Sequence, residues 1–549
     1  MSVKLSAEDA SFLACATEVD PRVVSSMWDA VDYMRDRRKG FCIPTVRNLC
    51  GDLGDEEESK GDGNEGERPC VYLCGNSLGL QPTSTRKFVL RELDKWASKG
   101  VMGHFEGDLP WVSIEKSVQK LSADLVGAKE EEVAVMNSLT CNIHFLLVSL
   151  YRPVGARVKI LIEASAFGSD YIAVATHLQH RGQDPKEAIV AVKPSRGEFV
   201  YRTEDFLEAM EKERDSIACV LLGAVNYLSG QLLDVPAITK KAHEIGATVI
   251  FDCAHAAGNV PLSLHDWGVD GACWCSYKYL NAGPGGIAGL FIHEKHTEGE
   301  QAVTRLAGWW AHNGETRFRM EHTFDPLPGA AGFQCSNPPV LQTVALLASL
   351  EIFRDAGGLK GLRQKTERQA VWLAALVKDQ LEGVVDAITP VDLKERGCQL
   401  SLAGSSSFGL DFQKVCQRLE KRGVVVDFRK PNMIRAAPTP LYNTYEDCWR
   451  FVEALKRAVA EELRDIAGTG SKKPLDWPIN DAEWEGLKEK ARAAAAAGAG
   501  GVAVTANDEC LMVPDTSQLK LSHNEARSDP SPQMNVEEPH ETPECRSPH

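Results

Sequence analysis

Short apolar runs alternate with helix-like segments between about residues 130 and 330 of this chain. Examples are the runs at 158–162, 218–224 and 248–251. Runs that are apolar throughout are typical of strands buried on both faces, as in a parallel sheet covered by helices. The pattern therefore predicts an α/β fold with a largely parallel sheet. Ligands of such sheets bind beyond the carboxyl ends of the strands.

Two charged side chains end two of these predicted strands. Asp252 closes the apolar run 247–251, and Lys278 follows the run 272–275 and precedes a glycine-rich turn. A lysine amine condenses with the aldehyde of pyridoxal phosphate, and a carboxylate pairs with the pyridinium nitrogen of that cofactor. The pair therefore predicts a pyridoxal phosphate site at the carboxyl edge of the sheet. The simpler alternatives are a solvated surface lysine and an aspartate that caps the next turn.

Other side chains near this predicted edge have two interpretations each. The segment 137–140 joins a strand to a helix, so it either binds the cofactor phosphate through helix N–H groups and hydroxyls or simply caps the helix. Phe167 either stacks on the cofactor ring or is a core residue of a turn, and Asp170 lies where it could bond the cofactor. His255 either lines the same pocket or is a structural histidine.

Metal or dinucleotide binding is a weaker interpretation of the same region. The pairs Cys273/Cys275 and Cys253/His255 lack further ligands at zinc spacing, so they are better interpreted as core residues and no metal is expected. The glycines between 283 and 289 precede a predicted strand rather than link a strand to a helix, which is the wrong order for a dinucleotide loop.

Length and composition narrow the class of protein. A chain of 549 residues is too long for one simple core, so two packed domains and tails are expected. The net charge of -16 argues against a nucleic-acid binder. No apolar run approaches the roughly 20 residues that span a bilayer, and residues 1–20 lack the pattern of a signal peptide. We expect a cytoplasmic protein with reduced cysteines and no nucleic-acid or membrane partner.

Changes in pattern along the chain suggest its division into domains. We expect an N-terminal segment, 1–70, that carries an acidic loop at 51–68 and joins the small domain. A large cofactor-binding domain should follow at 71–335, and a smaller α/β domain at 336–468. The latter should end in an amphipathic helix from about residue 445, with Thr444 and Asp447 as its capping signal. The tail, 469–549, should be largely disordered from about residue 490.

Longer motifs carry a resemblance to a known family. They are YLCGNSLGLQP at 72–82, the stretch 262–281, GWW at 308–310, SNPP at 336–339 and NMIR at 432–435. With these motifs in order, residues 70–465 closely resemble the kynureninase family, hydrolases of the aspartate-aminotransferase-like (fold type I) pyridoxal phosphate superfamily. The resemblance implies a large domain with a mostly parallel seven-stranded sheet, a smaller α/β domain, and a homodimer whose two subunits both contribute groups to the cofactor site.

The resemblance also implies roles for individual residues. Lys278 would carry the cofactor and, with Tyr277 as proton donor or relay, perform the catalysis. Arg435 would clamp the substrate α-carboxylate, a role that suits the bidentate guanidinium. Ser77, His104 and Asn337 would face the aryl end of the substrate. The residues implied at the cofactor are Leu139, Thr140, Phe167, Gly168, Ser169, Asp170, Asp252, His255, Tyr277, Lys278, Trp309 and Asn337.

One position departs from the family pattern. Gly223 stands where relatives usually place a hydroxyl residue near the cofactor, and nearby Asn226 could substitute for it. The activity implied is hydrolytic cleavage of the Cβ–Cγ bond of L-kynurenine or its 3-hydroxy form, in tryptophan degradation toward NAD. The products would be alanine and anthranilate or 3-hydroxyanthranilate.

Two other functions remain open from the sequence. A cysteine desulfurase or selenocysteine lyase on the same fold would need a reactive cysteine on a mobile loop, for which Cys335 is the nearest candidate. A non-catalytic scaffold with this fold would bind partners through the acidic loop and the tail, although the intact Asp252 and Lys278 pair argues against it.

Overall fold

The structure is a computed structural model that describes residues 19–50, 65–195, 198–299, 302–468, 475 and 477–497. Residues 51–64 of the predicted acidic loop and the tail beyond 497 lie outside this range. Within it, no helix is both long enough and apolar enough to cross a membrane.

The strands and helices of the described residues alternate along the chain. The strands are β1 Val71–Tyr72, β2 Val133–Val135, β3 Lys159–Glu163, β4 Ile189–Val192, β5 Ile217–Gly223, β6 Thr248–Asp252, β7 Gly271–Trp274, β8 Gly289–Ile292, β9 Val385–Ala387, β10 Leu400–Gly404, β11 Val424–Val425, β12 Asp427–Arg429 and β13 Met433–Ala436. The α-helices are α1 Pro21–Val31, α2 Val46–Cys50, α3 Thr85–Lys99, α4 Lys116–Val126, α5 Leu139–Leu150, α6 Gly168–His180, α7 Pro185–Ala188, α8 Thr203–Lys212, α9 Val235–Glu244, α10 Val340–Asp355, α11 Gly358–Leu381, α12 Phe412–Glu420, α13 Tyr445–Ile466 and α14 Asp481–Ala497.

A seven-stranded sheet forms the centre of the fold. Its order is β2-β8-β7-β6-β5-β3-β4. The pairs from β7 through β4 are parallel, and β8 runs antiparallel to both of its neighbours. Apart from the half-buried edge strand β4, the strands are buried along nearly their whole length because separate apolar clusters cover the two faces of the sheet. The predicted α/β class and the mostly parallel seven-stranded sheet are confirmed.

The topology of this sheet determines where its loops meet. Because β2 and the parallel strands β3 to β7 all point the same way, the residues after each of them lie at one edge of the sheet. The register places Gly223 beside Asp252, and Asp252 beside Cys273. The loops after β2, β3, β6 and β7 carry the side chains predicted for the cofactor, so this edge positions the site.

Two smaller sheets lie in the rest of the chain. One has the order β12-β13-β10-β9, and the other pairs β1 with β11 in parallel. Helix α13 begins at the predicted capping box, in which Thr444 Oγ1 accepts from Asp447 N at 3.0 Å. The apolar core of this region includes Val24 of the N-terminal segment and Trp484 of α14. The domain boundaries at 71, 336 and 469 stay a prediction.

The last helix includes residues 490–497, for which the sequence predicted disorder. Helix α14 continues to Ala497, beyond residue 490, and buries Ala491 completely. The alanine run at its end continues the helix because alanine has the highest helix propensity of all residues, and Trp484 anchors its first turns in the core.

Candidate active site

Lys278 lies in a tight loop after β7 at the carboxyl edge of the central sheet. It is 9% exposed, and its Nζ lies 5.8 Å from the centroid of the Phe167 ring. The loop is braced by the motif at 72–82, because the Gly79 N–H donates to Tyr277 O at 2.8 Å. The interpretation of Lys278 as a solvated surface lysine is therefore wrong.

Asp252 and Asp170 form a pair of buried carboxyl groups near this lysine. They are 7% and 4% exposed. Burial raises the pKa of Asp252, and the charge of Lys278 opposes that rise. Burial also raises the pKa of Asp170 well above its usual value, and the neighbouring Asp252 raises it further. Both carboxyl groups therefore favour the protonated form more than an exposed aspartate does, and the charge of Lys278 favours the ionised form of Asp252. Asp252 also accepts a turn hydrogen bond from Ala254 N at 2.7 Å, so the capping interpretation holds beside the functional one.

Glu163 is a third buried carboxyl group, which the sequence reasoning missed. It ends β3 and is 4% exposed, and its Oε1 has no hydrogen-bond partner among the described residues. Burial raises its pKa to about 8, Asn226 lowers it, and Asp252 raises it. Asp252 was identified because it is an acidic residue at the end of an apolar strand. Glu163 has the same position at the end of β3 and could have been found in the same way. Gly223 lies beside it, since a Cβ at Gly223 would stand 3.6 Å from Glu163 Oε2.

Two helices begin at the same edge of the sheet. Helix α5 begins at Leu139 and α6 at Gly168, and neither has a side-chain cap. The hydroxyls of Thr140 and Ser169, one from each first turn, are 2.7 Å apart. A Cβ added to Gly168 would meet nothing within 4 Å, so the space in front of these helices is open. Uncapped helix starts with converging hydroxyls favour an anion site over plain capping.

His255 and Tyr277 complete the set of polar side chains around Lys278. His255 is 7% exposed, and its Nδ1 has no partner in the described structure. Burial and the charges of Lys278 and Arg435 lower the pKa of His255 well below its usual value, so the imidazole is neutral. Burial raises the pKa of Tyr277, as does its contact with Cys275, so its hydroxyl keeps a proton to donate.

Arg435 reaches the site from β13 of the four-stranded sheet. It is 1% exposed, and its Nη1 donates to Tyr227 O at 2.6 Å. The Tyr227 ring contacts the Phe167 ring at a centroid distance of 5.2 Å. Ring contacts thus connect Arg435 through Tyr227 and Phe167 to Lys278, and Tyr227 is a second site residue that the sequence reasoning missed.

The remaining predicted residues lie toward the surface. Ser77 is half-buried in the segment that braces the Lys278 loop. His104 packs edge-on against Trp111 at 5.3 Å. Trp309 is 40% exposed and Asn337 is also exposed. Among the described contacts, none joins any of these four side chains to Lys278 or Asp252.

The chemistry of this edge fits pyridoxal phosphate. Lys278 supplies a buried amine for an aldehyde, Asp252 a carboxylate for a ring nitrogen, and the starts of α5 and α6 an anion site. Orphaned polar atoms of Glu163 and His255 face the same region. The alternative nucleophile Cys335 is half-buried, and burial raises the pKa of its thiol, which disfavours the reactive thiolate.

Comparisons with proteins of known sequence place this chain in a family. The family model described as "Kynureninase C-terminal domain" matches residues 362–455. The protein named "Kynureninase" from Myxococcus xanthus is 48% identical over 428 residues, which cover 78% of this chain and 95% of that protein. The protein of the same name from Homo sapiens is 45% identical over 447 residues, which cover 79% of this chain and 92% of that protein.

Solved structures with this fold come from more distant proteins. An apo cysteine desulfurase from Thermococcus onnurineus has a TM-score of 0.58 and 18% identity, covering 74% of this chain and 98% of that one. A C-DES variant with glycine covalently linked to its PLP cofactor has a TM-score of 0.59 and 16% identity, with the same coverage. At such low identity these likenesses show the fold alone.

Proposed function

The chain belongs to the kynureninase family, and from that premise we propose that it hydrolyses the Cβ–Cγ bond of L-kynurenine or 3-hydroxy-L-kynurenine with pyridoxal phosphate. The products are alanine and anthranilate or 3-hydroxyanthranilate. The observation that carries the proposal is the burial of Lys278 and Asp252 at one edge of the sheet, with a neutral His255 beside them. The cofactor, when bound, supplies an electron sink for the carbon next to the substrate amine.

Each side chain of the site has a role that follows from its charge and its protonation state. Lys278 Nζ would hold the cofactor, and the same amine would remove the proton from the substrate Cα. Asp252 carries the negative charge that stabilises a protonated ring nitrogen. The uncapped starts of α5 and α6 hold the phosphate, and Arg435 binds the substrate carboxylate. Tyr277 keeps its proton over the working pH range and would donate it to the substrate Cβ, the carbon that keeps the electron pair of the Cβ–Cγ bond and becomes the methyl group of alanine.

The test is a pair of lysine variants assayed with three substrates. Lys278→Ala should lose kynurenine cleavage by several orders of magnitude, because the amine that holds the cofactor is also the proton carrier. Lys120→Ala, which removes an exposed lysine paired with Asp124, is the matched control and should keep the parental rate. Anthranilate fluorescence measures cleavage of kynurenine, and kcat/KM for its 3-hydroxy form identifies the preferred substrate.

Cysteine is the third substrate because the structural neighbours include cysteine desulfurases. Alanine release from cysteine without cleavage of either kynurenine would contradict the proposal and favour the desulfurase. A Lys278→Ala variant with the parental rate on kynurenine would contradict the assignment of the catalytic lysine.

We propose a homodimer as the working form. A band of exposed aromatic side chains supports this, since Phe318 contacts Phe105 at 6.5 Å and Trp309 at 5.9 Å while all three are at least 40% exposed. Apolar surface of this kind is costly in water and suits a second copy. Phe318→Asp should shift the sedimentation coefficient toward that of the monomer, and an unchanged dimer would contradict the location of the interface.

We also propose a cytoplasmic location and small-molecule ligands only. The buried free thiols of Cys219, Cys253 and Cys273 suit a reducing compartment. The net charge of -16 disfavours binding to nucleic acids and anionic membranes. Fractionation of cells with a marker for each compartment tests the location.

A further inference from the structure

Arg435 already holds two partners in the structure. Its Nη1 donates to Tyr227 O at 2.6 Å, and its Nη2 pairs with the carboxylate of Asp427. Its Nε is buried without a hydrogen-bond partner among the described residues. The guanidinium is therefore held on two sides, and of its five N–H groups the one on Nε is buried without a partner in the described part of the chain.

Asp427 lies directly opposite Arg435 in the β12–β13 ladder. The same carboxylate oxygen of Asp427 accepts from Arg429 Nη2 at 3.0 Å. The side chain of Arg435 is 1% exposed, that of Asp427 is 11% exposed and that of Arg429 is 37% exposed. One carboxylate is thus shared between an inner guanidinium, which faces the active site, and an outer one, which faces solvent.

This arrangement balances charge both with and without a bound carboxylate. A buried guanidinium without a counter-ion would carry a large desolvation cost, and Asp427 offsets it in the ligand-free protein. When a second carboxylate binds Arg435, Arg429 still neutralises Asp427, so two carboxylates share two guanidinium groups. Asp427 and Tyr227 O also restrict the rotation of a long side chain that would otherwise sample several rotamers.

We propose that Asp427 is a positioning residue that orients Arg435 for the α-carboxylate of the substrate, with Arg429 as the outer counter-ion of Asp427. The inference rests on the proposed function, because it deepens the role of Arg435 in the same site. Asp427 acts through Arg435 and is not itself in contact with the reacting atoms.

The experiment compares ligands with and without the α-carboxylate. The variants Asp427→Asn and Asp427→Glu are prepared with bound cofactor, and Asp386→Asn, an exposed aspartate of β9 in the same sheet, is the matched control. Visible absorbance of the cofactor is titrated at equilibrium with L-alanine and with kynuramine, the amine that kynurenine becomes without its carboxylate. The KM and kcat for kynurenine are measured alongside.

Asp427→Asn should weaken alanine binding and raise the KM for kynurenine by roughly ten- to a hundredfold, the range for losing a hydrogen bond to a charged group. Its affinity for kynuramine and its kcat for kynurenine should stay within about twofold of the parental values, because the lost hydrogen bond orients Arg435 only for the α-carboxylate. Asp427→Glu keeps the carboxylate, so its alanine affinity should lie closer to the parent than that of Asp427→Asn. If Asp427→Asn does not fold, the titration of Asp427→Glu decides the question. A partial loss of affinity for alanine with unchanged affinity for kynuramine would then support the inference.

Equal losses for alanine and kynuramine, or no loss for either, would overturn the inference. A parental enzyme that cleaves kynurenine while Asp427→Asn keeps the parental KM would overturn the role of Asp427 but leave the proposed function intact. A parental enzyme that neither binds nor cleaves kynurenine would overturn both.

Discussion

At the residue scale, the chemistry of the site depends on buried ionisable groups whose pKa values are shifted by burial and by their neighbours. Glu163, Asp170 and Asp252 are all nearly buried, and burial raises the pKa of each. Three carboxylates cannot all be ionised around one lysine at low cost, so burial and mutual repulsion favour the neutral form of each. The charge of Lys278 favours the ionised form of Asp252, the carboxyl group that we propose to pair with the cationic ring nitrogen.

A glycine far away in sequence controls the position of that lysine. A Cβ at Gly79 would lie 2.3 Å from the backbone oxygen of Lys278 and 2.9 Å from Asn281 Cα. Neither contact can relax without a shift of the loop, so we expect Gly79→Ala to weaken cofactor affinity by roughly tenfold or more, since sub-ångström misplacement is costly at such sites. Titration of the visible absorbance with added cofactor measures this.

The matched control for this prediction is Gly486→Ala in α14. A Cβ there would meet nothing within 4 Å. It should bind cofactor like the parent and gain a little stability from the better helix former. Parental cofactor affinity in Gly79→Ala would show that the segment 72–82 does not hold the lysine loop.

At the element scale, another buried carboxylate connects the elements at the opposite edge of the sheet. Asp270, just before β7, is 2% exposed and accepts from Val249 N at 2.7 Å. His243 of α9, His296 and Lys295 each bring a nitrogen within 2.8 Å of its oxygens. These contacts tie β6, β7, α9 and the segment after β8 together where the parallel strands begin.

This cluster predicts a specific dependence of stability on pH. Burial alone would raise the pKa of Asp270, but the hydrogen bonds of His243 and His296 and the charge of Lys295 hold it well below its ordinary value. The stabilisation is present above the unfolded pKa of about 3.9 and is lost as the pH falls through the folded value. We expect Asp270→Asn to lower the free energy of unfolding by about 3 kcal/mol at neutral pH and by less in acid.

Urea unfolding at a series of pH values measures this difference. Asp266→Asn, an exposed aspartate four residues earlier, is the control and should follow the parent at every pH. A penalty for Asp270→Asn that stays constant into strong acid would contradict an ionised Asp270 as the stabilising group.

At the scale of the whole molecule, the N-terminal segment is held to the body by a buried ion pair. Lys365 Nζ of α11 lies 2.7 Å from Asp32 Oδ2, and both side chains are 2% exposed. Trp28 of α1 packs edge-on against Trp372 of α11 at 4.6 Å. Residues more than three hundred positions apart therefore share one core.

We expect Asp32→Ala to lower the free energy of unfolding by about 3–5 kcal/mol, because it leaves a buried ammonium group without its counter-ion. Asp36→Ala is a matched control in the same segment, since its pair with Lys39 is exposed to water and should contribute little to stability. Urea unfolding of both variants measures the difference. Equal and small effects would show that the pair does not hold the segment.

Local sequence determined the strands of the central sheet and the residues that end them. Uniformly apolar runs make strands wherever they are buried, so Asp252 and Lys278 could be placed at one edge before any contact was known. The capping box of Thr444 and Asp447 is equally local. The long motifs at 72–82, 262–281 and 432–435 indicated the family from local sequence as well, because each is a continuous stretch of the chain.

Only the tertiary structure decided which charged groups became partners. Arg435 is held by Asp427 from the next strand and by Tyr227 from two hundred residues earlier, and Glu163 acquires its raised pKa from burial beside Asp252. Protonation, ion pairing and desolvation depend on distances between residues remote in sequence, and those distances exist only once the sheets have packed.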